Sequence, residues 1–336
     1  MPTPTTDASL PNRIPVSVVT GFLGSGKTTL INHLVRQDGM EATALIINEF
    51  GEIGLDHVLV ESSFENTLLL ENGCICCSIR GDLIDTICDL FAKVGNGQLP
   101  PFTRIVIETT GLANPAPIIN SIQSDTAVIN RCGLEKVVTL VDGIQGRVHF
   151  ERHEEAVTQV SQADLALISK TDLCSEEDIS SLSDEILKIN PSLSITSIEH
   201  GVIDPDQLFL GPGVSPHHVH HHDHDHGHSI DHIHGDIATW SLVHGAPLDE
   251  ARLREWLSMI YSLRPYAMLR LKGYLRLEGF DRPLLIQAVG NMINPPEWLD
   301  GWPDDKKETR LVMIFKGLSA AAVQSSFRAH VLGTDA

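Results

Sequence analysis

The sequence predicts an α/β protein built on a mostly parallel, doubly wound sheet, with a smaller α+β domain behind it. Three observations carry this reading. Through the first 200 residues, short apolar runs ending in polar loops alternate with segments of helical periodicity, the pattern of a parallel sheet covered on both faces. The first run leads straight into Gly21-Phe22-Leu23-Gly24-Ser25-Gly26-Lys27-Thr28, a G-x-x-x-x-G-K-[ST] phosphate-binding loop. From residue 205 the composition turns to Gly, Pro, Asp and His, and from Asp236 it is globular again.

A chain of 336 residues exceeds what one core usually organises, so two domains are expected. We divide it into a flexible tail at 1–13, a P-loop NTPase domain at 14–204, a His-rich flexible linker at 205–235 and an α+β domain at 236–336. No apolar stretch reaches membrane-spanning length, so no membrane partner is expected. Met1 to Asn12 is polar and rich in Pro and Thr, without a charged-then-apolar leader, which points to the cytoplasm. The formal net charge of −20 speaks against a broad nucleic-acid surface and suits attraction of cations. Of six cysteines, three fall between Cys74 and Cys77, a spacing for metal or redox chemistry rather than for a disulfide framework.

Ile14 to Thr20, with Val16, Val18 and Val19, has the composition of a buried parallel strand, and Leu30, Ile31, Leu34 and Val35 recur at helical spacing. The loop between them is therefore in the strand–turn–helix context its motif requires. Gly21, Gly24 and Gly26 let the backbone approach phosphates where a Cβ would clash. With Ser25, Thr28 and Thr29, their amides open the helix towards an anion. Lys27 is expected to reach the β- and γ-phosphates and act in catalysis, and the Thr28 hydroxyl to ligate Mg2+.

Ala42 to Asn48 is a second buried strand. It runs into Asn48–Asp56, a polar loop with two glycines that carries Glu49 and Glu52 and borders the ligand crevice. Thr67 to Leu70 is a short strand before Glu71-Asn72-Gly73-Cys74-Ile75-Cys76-Cys77. Thiolates are soft ligands for Zn2+, Co2+ or Cu+. In an extended segment Cys74 and Cys76 share one face and Cys77 takes the other. Glu49, Glu52, His57, or Cys77 after a local turn, are the candidates to complete a site, and a redox centre is the other use of these thiols. Ile79 to Phe91 has helical spacing at Leu83, Ile84, Ile87 and Leu90, with Cys88 in the core. Arg104 to Ile107 is a strand ending in Glu108-Thr109-Thr110-Gly111. There the carboxylate can hold Mg2+ through water and take part in hydrolysis, while the Gly111 amide senses the γ-phosphate. Lys136 to Val141 ends at Asp142, and Ala163 to Ile168 ends in Ser169-Lys170-Thr171-Asp172 before a helix over Glu176 to Ile189. Asp172 can accept from the N1 and N2 donors of guanine, a pair adenine lacks, and Lys170 lies along the base.

Taken in order, GFLGSGKTT, INEFGEIGLD, ENGCICC, ETTG and SKTD resemble the CobW-type family of P-loop GTPases, which handle transition metals. The resemblance is strong over 14–200 and weaker beyond. It implies slow GTP hydrolysis with Mg2+, and nucleotide contacts from the P-loop, Glu108, Lys170 and Asp172. It also implies a metal site coupled to the switch region, with its thiolates on Cys74, Cys76 and Cys77, Cys76 foremost. Zn2+ is the metal expected and Co2+ suits the same ligands. A client metalloprotein would receive it. Many GTPases carry Asn where this chain has Ser169; a serine cannot reproduce the paired contacts of an amide, so weaker guanine affinity is expected. No arginine finger stands out in the sequence, which leaves that role to a partner or to a second subunit of a homo-oligomer.

His217, His218, His220, His221, His222, His224, His226, His228, His232 and His234 are interleaved with aspartates and show no apolar periodicity. Their imidazoles, largely neutral at cytoplasmic pH, form an expected auxiliary metal tract that raises the local metal concentration. Beyond it, strands at Ala238–Val243, Met268–Leu277, Leu284–Val289 and Leu311–Phe315 and helices at Leu248–Leu263 and Ser319–His330 read as α+β, without a catalytic constellation. Trp240, Trp256, Trp298 and Trp302 read as core or partner-surface residues. The combined expectation is a GTP-hydrolysing metallochaperone. A cobalt chaperone for cobalamin synthesis and a His-rich metal store without GTP-coupled delivery are the alternatives.

Overall fold

A computed structural model describes residues 13–47, 67–69, 75–78, 82–209, 228–234, 236–304 and 306–333; for 67–69, 76–78 and 228–234 the description is of the backbone. The first part of the chain runs β1 (Ile14–Gly21), α1 (Lys27–Leu34), β2 (Thr43–Ile47), β3 (Thr67–Leu69), β4 (Ile75–Ser78), α2 (Leu83–Gly95), β5 (Arg104–Glu108), α3 (Ala116–Ser124), β6 (Cys132–Asp142), α4 (Gly146–Arg152), α5 (Glu154–Gln162), β7 (Leu165–Ser169), α6 (Glu176–Ile189), β8 (Ser194–Ser197) and α7 (Pro205–Phe209). Among the described residues its sheet has the order β3-β4-β2-β5-β1-β6-β7-β8, and every pairing is parallel except β3 with β4.

Alternation along the strands explains why both faces are covered. Val16, Val18, Ala44, Ile46, Ile105 and Ile107 pack into one core, whereas Val19, Leu45, Ile47, Val106, Val138 and Leu140 pack into another on the opposite face. The second core is closed by α1 and by Leu208 and Phe209 of α7. Lys136, nearly buried, donates to the carbonyls of Leu208 and Phe209 at 3.1 and 3.2 Å. The first domain therefore continues past residue 204, and Pro205–Phe209, expected as linker, is part of it.

The second part runs β9 (His228–His234), β10 (Ile237–His244), α8 (Glu250–Leu263), β11 (Met268–Leu275), β12 (Leu284–Val289), β13 (Met292–Ile293), β14 (Glu297–Trp298), β15 (Thr309–Lys316) and α9 (Ala320–Phe327). Its sheet is antiparallel, in the order β13-β12-β11-β15-β10-β9 with β14 beside β12. One face carries α8 and α9 over an aromatic nucleus, where the Phe327 ring lies 5.2 Å from Trp240 and 5.1 Å from Trp256. The other face contributes Ile237, Leu269, Val289, Val312 and Ile314 to a core of the first domain. Helices α3, α5 and α6 thus lie between the two sheets, against β12, β11 and β10.

The junction also holds charge. Asp164, just before β7, pairs with Arg270 of β11 and with Lys272 at 3.1 Å, and accepts from the Val137 amide at 3.0 Å. Burial pushes the Asp164 carboxyl up, but the two cations and that amide outweigh it and hold the group below the usual carboxylate range.

Several element boundaries differ from the sequence expectation, among them β6, which begins at Cys132 rather than Lys136, and the three that follow. Helix α2 starts at Leu83 rather than Ile79 because Asp82 caps it, accepting from the Ile84 amide at 2.7 Å. Residues His228–His234, expected as linker, form an edge strand on β10. The last α-helix stops at Phe327; Arg328–Leu332 continue as a π-helical turn that ends at Gly333, with φ of 69°.

Candidate nucleotide site

The site lies at the carboxyl ends of β1, β5, β6, β7 and β8, the edge where a doubly wound sheet binds ligands. Strand β1 delivers the phosphate loop. Gly21, at φ 144°, comes so close to β6 that a Cβ would sit 2.6 Å from the Leu140 carbonyl oxygen. Gly26, at φ 94°, is the left-handed N-cap of α1, so the helix begins at Lys27 with its first amides turned towards the loop. Lys27 Nζ donates to the carbonyls of Gly21 at 2.7 Å and Phe22 at 3.2 Å, which curls the side chain over the loop. Phe22 is wedged beside two imidazoles, 4.7 Å from His149 and 4.6 Å from His153.

The neighbouring β5 places Glu108 in register with Val19, at the end of the strand and nearly buried. Thr109 then ties back to β1: its amide donates to Val19 O at 2.9 Å and its hydroxyl to Thr20 Oγ1 at 2.9 Å. Gly111 abuts the phosphate loop, since a Cβ there would lie 2.9 Å from the Leu23 amide nitrogen. The Thr28 hydroxyl on the first turn of α1 and the Glu108 carboxylate offer oxygen ligands from adjacent elements. That donor set fits a hard divalent cation such as Mg2+, which would neutralise charge on the phosphates.

The other side of this sheet edge is built by β6, β7 and β8. Lys170 has a left-handed backbone, φ 58°, and its Nζ pairs with Asp142 at 2.6 Å. Asp142 also accepts from the amides of Ile144 and Gln145, at 2.9 and 3.1 Å. Burial raises its carboxyl, but Lys170 and these amides prevail and keep it ionised below the usual range. Asp172 sits in a 3-10 turn, Thr171–Leu173, directly after Lys170. Its carboxylate is 4.0 Å from His200 Nδ1. The loop after β8 carries His200 and Gly201, both at positive φ; a Cβ on Gly201 would be 2.9 Å from the Leu30 amide nitrogen. That loop therefore closes on the start of α1.

The Ser169 hydroxyl is buried and donates to the Ser25 carbonyl at 2.7 Å, so it ties the end of β7 to the phosphate loop. Sequence reasoning passed over three participants. Asp142 was read only as a strand end, although an acid at the carboxyl end of a parallel strand was the available signal. Gly143 has no room for a side chain, a Cβ being 2.7 Å from Ser169 O. His200 follows β8, where the same edge-of-sheet rule applies.

Among the expected metal ligands, Cys74, Glu49 and Glu52 lie outside the described residues, as do His217, His218, His220, His221, His222, His224 and His226. Cys76 and Cys77 lie on β4, in register with Leu45 and Ile46 of β2. His228, His232 and His234 lie on β9. Among the described residues no group of three or more His, Cys, Asp or Glu could hold a metal ion, and no helix is long and apolar enough to cross a membrane.

Residues 15–197 match the family model for the CobW/HypB/UreG nucleotide-binding domain, and 237–331 match the cobalamin synthesis protein CobW C-terminal domain. The Escherichia coli (strain K12) protein named zinc chaperone YjiA is 31% identical over 316 residues, covering 94% of this chain and 98% of that one. A Pseudomonas aeruginosa protein named zinc chaperone CobW is 30% identical, covering 94% and 91%. The crystal structure of the Zn(II)-bound YjiA GTPase from E. coli superposes with a TM-score of 0.74 at 29% identity, covering 95% of this chain and 99% of that one. With both family models matched in order over the two domains, and with the phosphate loop and the Asp172 turn at one sheet edge, the chain belongs to the CobW/HypB/UreG family of P-loop GTPases and carries the CobW C-terminal domain.

Proposed function

We propose that the chain is a GTP-dependent metallochaperone. It binds a transition metal, Zn2+ before Co2+, through Cys74, Cys76 and Cys77 with Glu49 and Glu52 as oxygen ligands, and passes it to a client metalloprotein. Lys27, Thr28, Thr29 and the loop glycines hold the phosphates, Thr28 and Glu108 hold Mg2+, Gly111 senses the γ-phosphate, and Lys170 and Asp172 read guanine. Two relatives carry the words zinc chaperone in their names, which supports zinc as the cargo. The free thiols of Cys88, Cys132 and Cys174 among the described residues fit the reducing cytoplasm.

One observation carries the coupling. The cysteine strand β4 belongs to the nucleotide-binding sheet: it pairs with β2, and β2 pairs on its other side with β5, where Ile47 stands opposite Glu108. At about 4.8 Å per strand, Cys77 and Ser78 are roughly 10 Å from the backbone at Glu108. A displacement of the γ-phosphate loop is thus two strands from the thiolates. Linkage requires reciprocity: if GTP tightens the metal site by some factor, metal tightens GTP by the same factor. The His217–His234 tract supplies metal to that site.

The test is competition of Zn2+ and Co2+ against a chromophoric chelator, with Mg2+–GDP and then a Mg2+–GTP analogue, on the chain lacking 217–227, which leaves β9 in place. A tighter site with the GTP analogue that is lost in Cys76→Ser supports the proposal and ranks the two metals. Equal affinity in both states overturns it in favour of a metal store.

A further inference from the structure

The loop Thr109–Asn114, between β5 and α3, is gripped from α5 by two amide side chains. Gln159 Nε2 donates to Gly111 O at 3.1 Å and to Ala113 O at 3.0 Å. Three residues on, on the same helical face, Gln162 Nε2 donates to Asn114 Oδ1 at 3.1 Å. That oxygen also accepts from the Ala116 amide at 3.0 Å, at the start of α3. Both glutamines are essentially fully buried, 1% and 0% exposed. Packing alone would favour Leu at such positions, because an interior amide is costly unless its bonds are used. The other buried residues of α5 are Ala156, Val157 and Val160 with two small hydroxyl residues, Thr158 and Ser161, of which Ser161 bonds back to its own helix at Thr158 O. Both amide nitrogens are spent on the loop, whereas neither Oε1 has a partner among the described residues.

The two helices that frame this loop are both seated on the C-terminal domain. Helix α5 packs against β11, and Glu154 in its first turn pairs with Lys316 of β15. Helix α3 packs on β12: Ala116 Cβ leaves only 3.3 Å for a Cβ at Gly290, and Gln123 bonds Asn294. At its other edge Gly111 is already in contact with Leu23 of the phosphate loop. The height of the Gly111 amide above the phosphates therefore depends on where α5 lies.

We infer that Gln159, assisted by Gln162, is a positioning residue for GTP hydrolysis, and that through it the C-terminal domain sets the geometry of the Glu108–Gly111 loop. This rests on the assignment of that loop to the γ-phosphate. A partner that shifts the C-terminal sheet against α5 thereby changes the hydrolysis rate without touching nucleotide.

The test is steady-state hydrolysis of GTP with Mg2+ by the full chain, with GDP affinity and thermal melting measured on each variant. Gln159→Glu keeps the size but cannot donate to the two carbonyls. It is expected to lower kcat at least 10-fold, with KM for GTP and GDP affinity within about 3-fold of the parent. Gln159→Leu should behave alike. A folded Gln159→Glu with kcat within 2-fold of the parent overturns the inference, and so does a parallel fall in kcat and GDP affinity, the signature of a merely structural role. Should the core variants fail to fold, Lys316→Glu sets two carboxylates against each other on the surface. It is then expected to lower kcat about 3-fold at unchanged GDP affinity, and no change overturns the link to the C-terminal domain. Glu108→Gln separates the premises: if it leaves hydrolysis intact, the loop assignment itself fails.

Discussion

Replacing Asp164 by Ala would leave Arg270 and Lys272, 2% and 5% exposed, as buried cations without their counter-ion. Stranding one partner of a buried pair costs about 3–5 kcal/mol. Here the upper end applies at neutral pH, because two cations are stranded and the Val137 amide loses its acceptor as well. Asp164→Asn keeps an acceptor for that amide and should cost about 2–3 kcal/mol less than Ala does. The assay is urea unfolding at pH 7 with the slope held common, read as a change in free energy. Two pH signatures follow. The native Asp164 carboxyl titrates below its unfolded value of ~3.9, so its contribution is present above that pH and is lost as pH falls through the native value. The deficit of Asp164→Asn should therefore shrink in acid. Lys272 is already pushed down by burial, and losing Asp164 pushes it further. A base with a depressed native pKa gains stability as pH rises, so the deficit should also shrink towards pH 9–10, while Arg270 stays charged throughout. A cost for Asp164→Ala below about 1 kcal/mol, flat from pH 5 to 9, would refute the claim that these charges are desolvated and depend on one another.

Three further outcomes are expected. Asp172→Asn should weaken GDP by about 10- to 100-fold, the worth of charged hydrogen bonds, and improve xanthosine diphosphate, whose O2 accepts from the new amide; nucleotide competition measures the ratio. Ser169→Ala removes the hydroxyl that holds Ser25 O, so nucleotide affinity should fall by about 1–2 kcal/mol with guanine-over-adenine selectivity retained, as a two-nucleotide titration would read out. Trp256→Ala empties the aromatic nucleus and breaks the bond from Nε1 to Ser326 Oγ at 3.0 Å, costing about 3–5 kcal/mol in urea unfolding, while isolated nucleotide contacts are untouched.

The first sheet was legible because its strands are continuous apolar runs whose alternate residues feed two cores, and because each run ends in a polar motif. The phosphate loop was legible in full, since its motif names the glycines that the φ values and close approaches require. What escaped was set by distance along the chain. Asp142 and Lys170 meet across 28 residues, and nothing near either one announces the other. Gln159 reads locally as one more polar helix residue; only the fold brings Gly111 beneath it. The strand His228–His234 was hidden by composition, because histidine and aspartate mask a segment whose order comes from pairing with β10 rather than from its own propensity. The bond from Ser169 to Ser25 was likewise out of reach, because the two residues meet across 144 positions of the chain.

The core that Ile237, Leu269, Val289, Val312 and Ile314 share with Val137, Ala163 and Ile189 means that the nucleotide-binding half is not a portable module. Expressed without residues 237–331, it would present that apolar face of α3, α5 and α6 to water, together with an orphaned Asp164. Such a fragment should clump rather than behave as a minimal enzyme.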